Sequence, residues 1–158
     1  MLLPLFEALE ASAIGEAVRG SLWLFPVVEA FHLVGLAVIG GAILVVDFRL
    51  LGLGLRTQPV SKLARDVQPW VIGSLIVMIL SGVPLFLSEA IKCYYSFAFW
   101  TKMTALLLAV IFTFTVRRVV AFAPDGRFPP LWHRTVAITS LALWSTVGWG
   151  GRWIGFSG

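Results

Sequence analysis

The sequence predicts an all-α integral membrane protein, a four-helix bundle with a short N-terminal amphipathic helix, forming a single transmembrane domain over residues 1–158. Three observations predict it. Hydrophobic residues make up 59% of the chain and charged residues 13%, and mean hydropathy is +0.93, which leaves too little polar surface to cover a soluble globule of this size. Four stretches reach the roughly 20 apolar residues that a helix needs to cross a hydrocarbon core. The breaks between them carry charges or turn chemistry.

The first 20 residues set Leu5, Phe6, Leu9, Ile14 and Val18 against Glu7, Glu10 and Glu16. They lack the basic start, apolar middle and small-residue cleavage pattern of a signal peptide, so a short helix lying on the outer surface is expected. The first span covers about residues 22–46. A charged connection follows, with Arg49, Arg56, Lys62, Arg65 and Pro59, and leads to the second span at about 67–87. Pro84 there removes the bond to the carbonyl of Leu80, and Gly82 adds freedom, so a kink is expected. A short loop from Glu89 to Ser96 holds the single cysteine, Cys93, and leads to the third span at about 97–120. Arg117, Arg118, Arg127 and the run Ala123, Pro124, Asp125, Gly126 separate it from the fourth span, at about 131–150.

Orientation follows from the basic residues, because short loops rich in Lys and Arg stay in the cytoplasm. The first and third connections hold most of them, which puts both termini on the periplasmic side of a bacterial inner membrane. The net charge of +4 is explained by this distribution, and no nucleic-acid partner is implied. Trp23, Trp100, Trp149 and Trp153 fall at outer helix ends and Trp70 and Trp132 at inner ends, as headgroup-level indoles do; Trp144 lies deeper. A lone thiol forms no intrachain disulfide, and no Cys-x-x-Cys-His run is present to attach a c-type haem.

Ionisable residues inside spans are costly and mark pathways, cofactors or subunit contacts. Glu29 and His32 stand three apart on one face of the first span, roughly 10 and 15 Å deep at ~1.5 Å per residue. Lys102 reaches a similar depth from the same side, so Glu29 and Lys102 are expected to meet across the first and third helices, because a pair stays ionised where a lone charge would not. Gly35 leaves a hollow beside His32. Asp47 and Arg49 close the first helix, with Arg65 or Arg118 as expected ion-pair partners of that end. His133 sits at the inner start of the fourth helix, ~12 Å from His32 in depth on the same rise, too far for one haem iron held by both. His32 with Met78, or with a histidine of another subunit, stays open.

A quinone needs hydrogen-bond partners for two oxygens, a proton acceptor or donor, aromatic walls and access from lipid. Glu29, His32 and Lys102, with Trp149 and Arg152 at similar depth, provide such groups. The expectation is a small subunit of a redox or electron-transport complex, with a quinone or haem b site in the outer half and His32 as the candidate metal ligand. The alternatives are a purely structural accessory subunit and, third, metal or small-solute transport. No catalytic motif is present. Expected partners are membrane lipids and other membrane subunits.

The run Ser21 to Gly35, followed by Asp47, Phe48, Arg49, Leu50, Leu51 and Gly52, resembles a group of small bacterial four-helix membrane proteins known only as a domain of unknown function. Ala90 to Tyr94, leading to Phe99, Lys102 and Met103, is similar to it too. The resemblance implies the fold but no activity, and in that family Glu29, His32, Asp47, Arg49 and Lys102 occupy motif positions. A looser similarity links such proteins to copper-resistance membrane proteins of the D type and to membrane b cytochromes. Phe112 and Arg117 stand at positions often polar and histidine there, so no two-histidine site carries over.

Overall fold

The computed structural model describes residues 2–54 and 57–156. Among the described residues seven helices follow one another: α1 (Leu3–Glu10), α2 (Ala13–Gly20), α3 (Leu24–Leu50), α4 (Val60–Ser88), α5 (Ala90–Tyr95), α6 (Phe97–Ala121) and α7 (Pro130–Phe156). No strand occurs among the described residues. Arg56, counted above with the basic connection, lies outside them.

Three helices, α3, α4 and α6, are long and apolar enough to cross a membrane. The fourth long helix, α7, matches them in length but carries His133, Arg134 and Arg152 and is rich in Ser, Thr and Gly, which lowers its apolar content. The long helices pack as neighbours in the order α4, α3, α7, α6. Their outer surfaces are apolar: Phe31, Ile76, Leu80, Leu107 and Ile138 are all more than half exposed. Small residues line the contacts instead, with Ala42, Ala105, Ala109 and Ala137 buried. This inverted arrangement suits helices that gain nothing by hiding leucine from lipid and associate through close backbone approach.

Two clusters fill the interior. Ile39, Ile43, Ala105, Ala109, Trp144 and Val147 form one, and Val46, Leu50, Val60, Ala64, Val136 and Ala137 the other. They set the register, with the start of α7 level with the end of α3. α4 begins at Val60, well before the expected boundary near residue 67. Val60 and Ala64 are buried against α3 while Lys62, Arg65 and Asp66 are exposed, so the charges that read as a loop are the solvent face of an amphipathic extension. α4 also runs on unbroken through Pro69 and Pro84.

The N-terminal segment is two helices rather than the one expected. Ser12 separates them and caps α2, its hydroxyl accepting from the amide of Gly15 at 3.3 Å. Both dock on the outer ends of the long helices. The Phe6 ring meets those of Phe86 at 5.6 Å, Tyr94 at 5.1 Å and Trp100 at 6.1 Å. The Glu10 carboxylate accepts from the amide of Ile91 at 2.7 Å and from Arg19 at 2.9 Å. Gly15 is required at this seam: a Cβ there would lie 2.6 Å from the carbonyl oxygen of Leu87.

Candidate functional site

Two groups of polar side chains lie between the long helices, one in the half nearer α1 and α2, the outer half of the orientation expected from the basic residues, and one in the opposite, inner half. In the outer half, His32 projects from α3 towards α4, and its Nδ1 lies 2.9 Å from the hydroxyl of Ser81. The ring can approach because the next residue on α4 is Gly82, where a Cβ would come within 3.2 Å of His32 Cε1. The Ser81 hydroxyl donates its single proton to the carbonyl of Val77 at 2.6 Å. With that proton on Val77, the Ser81 oxygen is left to accept, which suits a ring protonated on Nδ1. The Met78 backbone, also on α4, lies within hydrogen-bonding reach of the ring.

Lys102 enters this half from α6 and lies along glycines of α7. A Cβ on Gly150 would stand 3.0 Å from Lys102 Cβ, and one on Gly151 3.4 Å from Lys102 Nζ. Half-buried, its ammonium makes no ion pair or hydrogen bond among the described residues.

The other expected members are placed differently. Glu29 is exposed on α3 and does not pair with Lys102. The helical turn between Glu29 and His32 leaves the acid on the outward edge of α3, while the imidazole turns to α4. Trp149 is 53% exposed and stacks on Trp153 with centroids 5.3 Å apart, so it faces outward instead of walling a chamber. Arg152 is exposed on the next turn. The hollow expected beside Gly35 is filled by the side chains of Met78 and Val77, which approach to 3.2 and 3.3 Å of a Cβ placed there. His133 lies in the first turn of α7, just before Val136 and Ala137, which share a cluster with Leu50, about 18 residues along α3 from His32. That is roughly 27 Å at 1.5 Å per residue, so one haem cannot be held by this pair.

The inner half holds a closed site. The Nε of Arg117 donates to Asp47 Oδ1 at 2.7 Å, and another guanidinium nitrogen donates to the carbonyl of Ile43 at 3.3 Å. Asp47 is fully buried and Arg117 nearly so. Ser140 of α7 faces the carboxylate without closing a full hydrogen bond, leaving Asp47 Oδ2 and Ser140 Oγ buried without a partner among the described residues. One turn outward, the Trp144 indole donates to Thr113 Oγ1 at 3.1 Å. A cavity of about 30 Å³, lined by Val46, Gln68, Thr113 and Arg117, adjoins the pair.

Arg117 reaches inward because α6 widens into a π-turn over Thr113–Arg117. That turn keeps Thr113 and Arg117, four residues apart, on the inward line of Ala105 and Ala109; π-turns frequently mark functional positions. The partner of Asp47 is thus neither Arg65 nor Arg118, both exposed. Arg118 lies over the Phe122 ring at 5.7 Å, and Arg49 donates to the carbonyl of Gln58 at 2.9 Å. A buried acid near the end of one span and an Arg-Arg pair at the end of another were the available signals; a π-turn has no sequence mark that would have chosen between the arginines.

Cys93 is buried in α5, where desolvation, and after it the Glu89 carboxylate, push its thiol up to about 11. Such a thiol is inert at neutral pH. No cluster of three or more His, Cys, Asp or Glu side chains suited to a metal occurs among the described residues.

The fold and its buried polar residues define a class: an all-helical protein with three membrane-length apolar helices, compatible with a multi-pass membrane protein. The chain belongs to a family of unknown function, DUF6644, whose model matches residues 5–157. No curated protein and no solved structure matches it.

Proposed function

We propose that the chain is a small subunit of a redox or electron-transport complex in the bacterial inner membrane, binding a quinone in its outer half between His32 and Lys102. Four spans cross the bilayer in this reading, α7 included, because α7 is as long as α3 and packs along both α3 and α6. Both termini face the periplasm, as the basic residues of the α3–α4 and α6–α7 connections require.

One observation carries the reading. An imidazole tied to α4 through Nδ1 and a half-buried ammonium with no ion pair among the described residues lie in the same half of the bundle. Unpaired ionisable groups at membrane depth are functional by default. A cationic donor can hold one oxygen of either a quinone or a hydroquinone, and a ring-nitrogen acceptor can take the hydroxyl proton of the reduced form. Arrival from the lipid suits the half-buried positions of both side chains.

The test is binding. Purified protein in nanodiscs is titrated with a short-chain benzoquinone and its hydroquinone, and lipid extracts of the purified protein are assayed for quinone. Saturable binding that His32→Ala and Lys102→Met each weaken supports the reading, and absence of any binding overturns it. A Soret band in the purified protein would replace quinone by haem b on His32, with its second ligand from another subunit.

The rival reading is a structural accessory subunit. The observation favouring it is that His32 ties α3 to α4 through Ser81. It prevails if His32→Ala leaves ligand content unchanged and merely loosens the helix pair.

A further inference from the structure

We infer that the outer site selects the reduced, hydroxyl-bearing form of its ligand, a hydroquinone, and that Ser81 is the positioning residue that makes it do so. This rests on the quinone reading above.

Ser81 has one hydroxyl proton, and the 2.6 Å contact assigns it to the Val77 carbonyl. The second carbonyl within reach, that of Met78, is longer at 3.4 Å and is also an acceptor. Ser81 Oγ therefore meets His32 Nδ1 with a lone pair, and the single N–H of the neutral ring is committed to α4. A histidine held this way presents an acceptor to whatever approaches Nε2, just as metal-ligating histidines are oriented by the partner of their other nitrogen. Gly82 keeps the ring seated: a Cβ there would stand 3.2 Å from Cε1, so the ring would have to give by a few tenths of an ångström.

The two oxidation states of the ligand meet this arrangement differently. A quinone has two carbonyl oxygens, both acceptors. Lys102 can donate to one of them, but the other would face the Nε2 lone pair, acceptor against acceptor. A hydroquinone fits both groups: one hydroxyl donates to Nε2, and the other oxygen accepts from the ammonium. The difference is one satisfied hydrogen bond against one unmade, which corresponds to roughly tenfold in affinity.

The experiment measures binding of a short-chain benzoquinone and its hydroquinone, anaerobically, to the full chain in nanodiscs. Nitrogen-15 NMR of labelled histidine reads the tautomer. The expected result is an Nδ1–H ring at His32 and roughly tenfold tighter binding of the hydroquinone. Ser81→Ala should bring the two affinities together and mix the tautomers, while Ser81→Thr, which keeps the hydroxyl, should preserve both. Equal affinities in the parent protein, or a preference that survives Ser81→Ala, overturns the inference and leaves the quinone reading intact if His32→Ala still abolishes binding. Should neither form bind, the functional reading falls and the selectivity with it. Because the tautomer is read spectroscopically without ligand, an Nε2–H ring also overturns the inference.

Discussion

His32 and Asp47 stand on the same helix, yet the protein completes one and leaves the other open. At the inner end, Asp47 is enclosed by α6 and α7, bonded to Arg117 at 2.7 Å and removed from solvent. In the outer half, His32 bonds Ser81 through Nδ1, and Lys102 lies against α7 with no ion pair among the described residues. A buried ion pair holds helices in register and is strongly destabilising to break. A cation and an imidazole without an acid between them do little for stability, and in the proposed function they are assigned to a ligand. The contrast teaches that two polar groups on one helix can differ in how completely they are partnered, whatever their depth.

Breaking the inner site should have the largest effect. Arg117→Met strands the Asp47 carboxylate and should cost about 3–5 kcal/mol, read as thermal unfolding in detergent. Asp47→Leu combined with Arg117→Met should recover most of that loss. A double variant as unstable as either single one would contradict the description of the pair as a closed unit.

The outer half is held by its cap more than by its imidazole. Gly15→Val forces a side chain onto the carbonyls of Leu87 and Glu10, 2.6 and 2.7 Å from the Cβ position. The expected cost is about 1–3 kcal/mol, together with faster proteolysis within the first 20 residues. Unchanged protection would mean that α1 and α2 do not depend on this contact. His32→Ala, by contrast, removes one hydrogen bond and should change stability by no more than about 1.5 kcal/mol while abolishing ligand binding. A large loss of stability would move His32 to the architectural side of the comparison.

The smallest effect belongs to Cys93. Its thiol is pushed from 9.0 to about 11 by burial, so between those values the folded chain keeps a proton that the unfolded chain releases. Stability from this group is complete below pH 9 and declines as pH rises through 11. Maleimide labelling of the native protein should be slow at pH 7 and accelerate on unfolding, and Cys93→Ala should flatten the alkaline limb. Rapid labelling of the folded protein would show that the α5 cap is open.

Much of the outer site could be read from residue types. His32 and Lys102 stood out because each is an ionisable group in an apolar run, and the structure puts both in the half nearer α1 and α2. Glu29 looked like the natural partner of Lys102 on charge and depth, but depth ignores azimuth: a few residues of rotation separate the edge of α3 from its packed face. The inner site was less legible. Asp47 was visible as an acid at a helix end, whereas the identity of its partner depended on a π-turn, a backbone adjustment that TFTVR does not announce. The glycines at 82, 150 and 151 were equally silent, since a glycine acquires its role only when another helix lays a side chain against it.

What the sequence determined by itself was that the chain is all-helical and where its long apolar helices lie, because hydropathy acts locally along the chain and needs no knowledge of neighbours. What only the tertiary structure decided was which polar groups meet. Helix rotation and local backbone geometry choose between residues one position apart, and a rotation of about 100° per residue is enough to exchange a buried partner for an exposed one.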